Sequence, residues 1–144
     1  LGAGLGVAGL CAACFGAHII LSDLQENLPT LEENCSRNAS RITSGGGTVA
    51  VAELDWEAVT HGGEAAVAAS EISSSLLGGP VEVILGTDVS WDPVLCKSLI
   101  GAIRALVGAP GTGNVDAFFA HTPRHPLIGE GGSFETLEGE IGFP

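Results

Sequence analysis

The first six residues are rich in glycine, and the order of the segments after them constrains the fold more than any other feature of the chain. Residues 7–15 are mostly apolar, and a second apolar run over residues 18–23 ends at Asp23. This order predicts a glycine turn, a helix, and a strand that brings a carboxylate to the carboxyl edge of a parallel sheet. Such an arrangement favours a site for a nucleoside cofactor.

The glycine spacing by itself fits two kinds of cofactor. Gly4, Gly6 and Gly9 match the G-x-G-x-x-G spacing of dinucleotide-binding folds, in which a pyrophosphate meets the helix N-terminus. In a site for S-adenosylmethionine, the same loop would pass under the methionine part of the cofactor. In either case a carboxylate at Asp23 would hold the ribose hydroxyls. Later acid and aromatic pairs, Asp55-Trp56 and Asp88…Trp91, favour S-adenosylmethionine.

Length and composition set the scale of the domain. The chain has 144 residues, of which 45% are hydrophobic, so one domain over residues 1–144 with a real core is expected. The sequence contains no Met and starts at the glycine turn, whereas a parallel sheet carries the strand before that turn near its middle. We therefore expect a partial domain that lacks the first and last strands of its sheet.

The net charge of the chain limits the classes of partner that are expected. Seventeen acidic residues against five basic ones give a net charge of -12. No basic stripe is available to neutralise phosphates, so nucleic acid is not an expected partner. An acidic surface suits a basic protein substrate instead. No apolar run is long enough to span a membrane, and the sequence does not indicate an oligomeric state.

The four cysteines and the histidines offer no metal or disulfide framework. Cys11, Cys14, Cys35 and Cys96 are scattered, and we expect buried, unreactive thiols in a reducing compartment, the cytoplasm or nucleus. His121 and His125 are four residues apart, but Pro123 prevents the helix that would place both on one face. No metal site is predicted.

Short apolar strands alternate with helices along the rest of the chain. Strands are expected over residues 48–54, 81–88 and 115–121, and helices over residues 25–38, 64–77 and 92–107. The Ala, Ser and Gly bias of residues 57–80 is also compatible with a disordered insertion. The alternation predicts an α/β fold with a doubly wound, mostly parallel Rossmann-like sheet. Ligands of such sheets bind at the carboxyl ends of the strands.

These motifs together resemble the seven-strand (class I) S-adenosylmethionine-dependent methyltransferases, and within them the protein lysine methyltransferases of methyltransferase family 16. The family's L-G-A-G-x-G motif matches residues 1–6, its ribose-binding acid matches Asp23, and its tryptophan near the adenine matches Trp56. A small residue before the acid that comes after the next strand matches Thr87. The cofactor-binding residues implied by the resemblance are Gly2, Ala3, Gly4, Gly6, Asp23, Leu24, Asp55, Trp56 and Thr87.

The resemblance also implies an acceptor site after the strand that ends near Thr87. The family has an acid, two residues and then Tyr or Phe, whereas this chain has Asp88, two residues and Trp91. The resemblance therefore implies that Asp88 orients a lysine amine and that Trp91 forms an aromatic wall, as the two catalytic residues. Tryptophan lacks the hydroxyl of tyrosine, a departure that bears on substrate choice.

The function predicted from the sequence is S-adenosylmethionine-dependent methylation of a lysine side chain in a protein. A fragment of an oxidoreductase that binds NAD or FAD remains an alternative, supported by the glycine spacing and Asp23. A methyltransferase-like remnant without catalytic activity is a second alternative, and methylation of a small molecule is a third.

Overall fold

The computed structural model describes residues 1–89, 92–108 and 113–122. Five α-helices and four strands lie in these ranges. Their order is α1 (Val7–Cys14), β1 (His18–Asp23), a 3-10 helix (Gln25–Asn27), α2 (Leu28–Gly45), β2 (Thr48–Glu53), α3 (Trp56–His61), α4 (Glu64–Leu77), β3 (Val83–Thr87), α5 (Pro93–Val107) and β4 (Asp116–Ala120).

The strands form two parallel pairs, β1 with β2 and β3 with β4. The first three residues lie between the two pairs and form hydrogen bonds to both. The Ala3 N–H donates to the Ser22 carbonyl of β1 over 3.0 Å, and the Leu1 nitrogen donates to the Leu85 carbonyl of β3 over 2.8 Å. Residues 1–3 therefore occupy the position of a central strand, and the predicted parallel α/β architecture is confirmed.

Two hydrophobic clusters hold the helices against the strands. The first packs α1 and α2 on β1 and β2, and the second packs α3, α4 and α5 together with β3. Helix α4 also contacts β1 and β2, so helices of both clusters flank the same strand pair. The buried members of the first cluster are Leu10, Ala13, Leu21, Leu31 and Ile42, and those of the second are Leu54, Val59, Ala69, Ile84, Val89, Leu99, Ala102, Ile103 and Leu106.

Helix α2 is longer than its sequence pattern suggested, since it runs to Gly45 and not to about residue 38. Ile42 is buried and extends the apolar stripe begun by Leu31. The helix ends at Gly46, which has a left-handed backbone (φ 81°) suited to glycine. The glycines before β2 therefore end this helix.

The stretch after β2 is ordered helix and not a disordered insertion. Helix α4 has the bounds expected from the sequence, but α3 was not predicted. Val59 of α3 and Ala69 of α4 are buried in the second cluster together with Leu99 of α5. Their burial gives this Ala- and Ser-rich stretch enough apolar contact to remain folded.

The expectation that all four cysteines are buried was wrong for Cys11. Helix α1 turns Leu10 and Ala13 toward the first cluster, which leaves Cys11 exposed. Cys96 is buried, Cys14 and Cys35 are half-buried, and all four are free thiols. Burial raises the pKa of the Cys96 thiol, and the nearby Asp92 carboxylate adds to the effect. In the part of the chain that the structure describes, no helix is long and apolar enough to cross a membrane.

Candidate active site

Asp23 ends β1 beside the glycine loop, and its carboxylate joins the two. Oδ2 accepts a hydrogen bond from the Gly4 N–H at 2.7 Å, and Oδ1 accepts one from the Leu24 N–H at 2.8 Å. The side chain of Asn27 donates a third bond to Oδ1, also at 2.7 Å. Asp23 is 9% exposed, so the loop, the strand end and the adjoining turn converge on a nearly buried carboxylate.

Gly2 and Gly4 share a backbone conformation that favours glycine but differ in their surroundings. Both have left-handed backbones, with φ of 57° and 54°. A β-carbon at Gly2 would lie 2.9 Å from Val89 Cγ1 and 3.0 Å from Trp56 Cζ2, so the loop packs directly on these two side chains. At Gly4 a β-carbon would meet none of the described residues within 4 Å. The loop therefore has one packed side, at Gly2, and one open side, at Gly4.

Gly6 and Gly9 support the loop from the interior. Gly6 is buried and begins α1, and a β-carbon there would lie 3.0 Å from both Leu21 Cδ1 and Leu31 Cδ2. Gly9 lies directly against the Leu21 side chain. These contacts let α1 pack closely on β1, which both classes of cofactor site require.

Trp56 is brought to the glycine loop by the start of α3. It is half-buried, packs against the second hydrophobic cluster, and touches Gly2. Asp55 is the N-cap of α3, and its Oδ1 accepts hydrogen bonds from Glu57 N at 2.9 Å and Ala58 N at 3.2 Å. The cap fixes the direction in which α3 leaves β2, and so places the indole against the loop.

The residues after β3 form the other side of the site. Thr87 is exposed at the end of β3, and Val89 is buried against Gly2. Asp88 has a left-handed backbone (φ 55°), a conformation that costs a non-glycine residue roughly 1 kcal/mol. Its N–H donates to the Ala120 carbonyl at 2.8 Å, and its Oδ1 accepts from the Thr122 N–H at 3.0 Å. Asp88 thus ties the end of β3 to the residues after β4.

The predicted site residues mostly meet at one edge of the sheet. The glycine loop contains Gly2 and Gly4, and Trp56 and Asp23 contact these two residues. Asp88 lies at the end of the neighbouring strand pair. Trp91 and His125 lie outside the described residues. No group of three or more His, Cys, Asp or Glu side chains suited to a metal ion occurs in residues 1–89, 92–108 and 113–122.

Comparison with known proteins identifies the family. The family model Methyltransf_16, described as lysine methyltransferase, matches residues 1–125. The chain belongs to this family. The glycine loop, Asp23 and Asp88 all lie within the matched range, so the family 16 assignment covers the whole of the described site.

Individual relatives are other methyltransferases. The histone-arginine methyltransferase METTL23 of Xenopus laevis is 33% identical over 108 residues, which are 74% of this chain and 39% of that protein. EEF1A lysine methyltransferase 3 of Mus musculus is 28% identical over 112 residues, or 78% of this chain and 40% of that protein. Methyltransferase-like protein 22 of Mus musculus is 30% identical over 110 residues, 74% of this chain and 28% of that protein.

The family 16 chain thus spans about two fifths of the length of the first two of these relatives. No solved structure matches the chain. The site described above therefore belongs to the part of a family 16 methyltransferase that contains the glycine loop and the acidic residues at the ends of the first strands.

Two asparagines of the site were missed at the level of sequence. Asn27 bonds to Asp23, and Asn34 of α2 donates from Nδ2 to the Leu5 carbonyl of the glycine loop at 3.0 Å. Asn27 lies only four residues after Asp23, but Asp23 ends a strand and Leu24 is extended, so no helical spacing signals the contact. The Asn34 contact joins residues 29 apart and has no local sequence signal.

Proposed function

We propose that this chain is the cofactor-binding part of an S-adenosylmethionine-dependent methyltransferase that methylates a lysine side chain of a protein. The observation that carries the proposal is the bond between the Gly4 N–H and the Asp23 carboxylate, in a chain of family 16. It joins the two motifs that would hold the nucleoside, one from the loop and one from the strand end.

The residues present fit this cofactor. Gly4 leaves space on the outer side of the loop, where a β-carbon would meet no atom of residues 1–89, 92–108 and 113–122 within 4 Å. Asp23 is a nearly buried carboxylate whose orientation is fixed by three N–H donors, and carboxylates accept bonds from ribose hydroxyls. Trp56 offers an aromatic surface beside Gly2 for the adenine.

When bound, S-adenosylmethionine would supply a methyl group on a sulfonium, and the amine would form a bond to the methyl carbon in line as the carbon–sulfur bond breaks and S-adenosylhomocysteine leaves. The chain's own contribution is positioning and exclusion of water, because this reaction needs little proton transfer in its bond-forming step. Asp23 and the glycine loop would fix the nucleoside end. Trp56 and Val89, both packed on Gly2, would limit water on that side of the loop.

The acceptor amine must arrive neutral, with its lone pair directed at the methyl group. Asp88 lies at the carboxyl end of β3, and its backbone and side chain are both fixed by bonds to Ala120 and Thr122. A carboxylate held in this way can accept a hydrogen bond from a lysine amine and orient it. We keep Asp88 and Trp91 as the proposed acceptor residues.

The net charge of -12 supports a basic protein as the substrate. Attraction between opposite charges raises the rate at which an enzyme and its substrate meet, and this effect weakens as the salt concentration rises. A cytoplasmic or nuclear location belongs to the same proposal. The name of the Xenopus laevis relative, a histone-arginine methyltransferase, makes arginine the competing acceptor.

The proposal is tested by methyl transfer from S-adenosylmethionine carrying a tritiated methyl group to basic cellular proteins, using the full-length protein. Amino-acid analysis of the labelled product identifies the acceptor. We expect methyl-lysine, and less label with the Asp23→Ala variant. Label in methyl-arginine would show that arginine, and not lysine, is the acceptor. Label confined to small molecules would contradict a protein substrate.

A further inference from the structure

The hydrogen bonds that Asp23 accepts limit how it can bind a ribose. Each carboxylate oxygen has two lone pairs. Oδ1 accepts from Leu24 N and from Asn27 Nδ2, so both of its lone pairs are in use. Oδ2 accepts from Gly4 N alone among these donors, which leaves it one lone pair. Asp23 can therefore accept one further hydroxyl in this arrangement, and not two.

We infer that Asn27 competes with the ribose of the adenosyl cofactor for Asp23 and thereby lowers the affinity of the protein for it. This inference rests on the proposed function. A ribose has neighbouring 2′ and 3′ hydroxyls, and a single carboxylate binds both when each hydroxyl donates to it. Binding of both to Asp23 requires one of its present donors to leave.

Asn27 is the donor that can leave. Gly4 and Leu24 donate from backbone N–H groups of the glycine loop and of the strand end, which are fixed by the fold. Asn27 donates from a side chain on the 3-10 helix, and the residue is exposed, so water can replace Asp23 as the partner of its amide. Although Asn27 is the N-cap residue of α2, its side chain makes no cap bond there. Its release from Asp23 therefore leaves the helix end unchanged.

The test is a calorimetric titration of S-adenosylhomocysteine into the full-length protein and its Asn27→Ala variant. We expect the variant to bind roughly threefold to tenfold more tightly, since one hydrogen bond to a carboxylate no longer has to be broken. Gln25→Ala, on the same 3-10 helix, is the matched control and should leave the affinity unchanged. Weaker or unchanged binding by Asn27→Ala would overturn the inference.

Analogues that lack one hydroxyl separate this inference from the proposed function. For 2′-deoxy- and 3′-deoxy-S-adenosylhomocysteine, the lone pair left on Asp23 Oδ2 is sufficient, so Asn27→Ala should no longer tighten binding. Equal tightening for the parent compound and both analogues would show that Asn27 does not act through Asp23. Failure of the unmodified protein to bind S-adenosylhomocysteine at all would instead contradict the proposed function itself.

Discussion

The Asp23 carboxylate organises the glycine loop before any ligand is bound. Its hydrogen bonds to Gly4 N and Leu24 N join these two exposed residues to the nearly buried end of β1. A typical hydrogen bond within a protein contributes about 0.5–1.5 kcal/mol net to stability. Substitution of Asp23 will therefore affect folding and binding together, and every binding result on it needs a melting curve beside it.

Asp88 allows a charge and a conformation to be tested separately. Asparagine tolerates the left-handed backbone and keeps an oxygen that can accept the Thr122 N–H, whereas alanine has neither property. If the charge orients the acceptor amine, Asp88→Asn should keep the melting temperature and lose at least about tenfold in kcat. Asp88→Ala should lose both.

The comparison is made by thermal melting and steady-state methylation kinetics on both variants. Full activity of Asp88→Asn would mean that Asp88 only ties β3 to the residues after β4, and it would remove Asp88 from the acceptor site.

Helix α3 shows how one cap can position a binding surface. Asp55 caps α3 and Asp92 caps α5 in the same way, each accepting from the backbone N–H groups two and three residues further along the chain. Replacing either residue with alanine should therefore lower the free energy of unfolding by about 1 kcal/mol. Only Asp55→Ala should also weaken binding of S-adenosylhomocysteine, because α3 carries Trp56 to the glycine loop.

Chemical denaturation and calorimetry on this pair of variants measure the two effects. An equal affinity for the cofactor product in both variants would place the adenine away from α3 and contradict the role assigned to Trp56.

At the level of elements, local sequence signals indicated the strands and most helix starts. The run ending at Asp23 and the Asp92-Pro93 start of α5 were predicted because their patterns and capping residues are local. Helix α3 was missed although Asp55 is a strong N-cap residue, since the expected strand was extended through Leu54 and the six-residue helix has little periodicity of its own.

Which residues lie near the site was easier to predict from the sequence than how they are arranged. Sequence order placed Gly4, Asp23 and Asp88 at strand ends, but the left-handed backbone of Asp88 and its bond to Thr122 depend on the pairing of β3 with β4. The bond from Asn34 to the loop likewise depends on how α2 packs. Long-range contacts of this kind are set by tertiary packing, which no local pattern encodes.

In the whole molecule, the two strand pairs are joined through residues 1–3. The Leu1 nitrogen donates to the Leu85 carbonyl of β3, and the Ala3 N–H donates to the Ser22 carbonyl of β1. The strand position between the pairs therefore connects the two sides of the site.

Whether the glycine loop and Asp23 form an adenosyl site is decided by a calorimetric titration of the full-length protein with S-adenosylhomocysteine and, separately, with NAD. We expect saturable binding of S-adenosylhomocysteine, no binding of NAD, and a loss of roughly tenfold or more in affinity with Asp23→Ala. Preference for NAD would instead support the oxidoreductase alternative, and binding of neither compound would support a remnant without a cofactor.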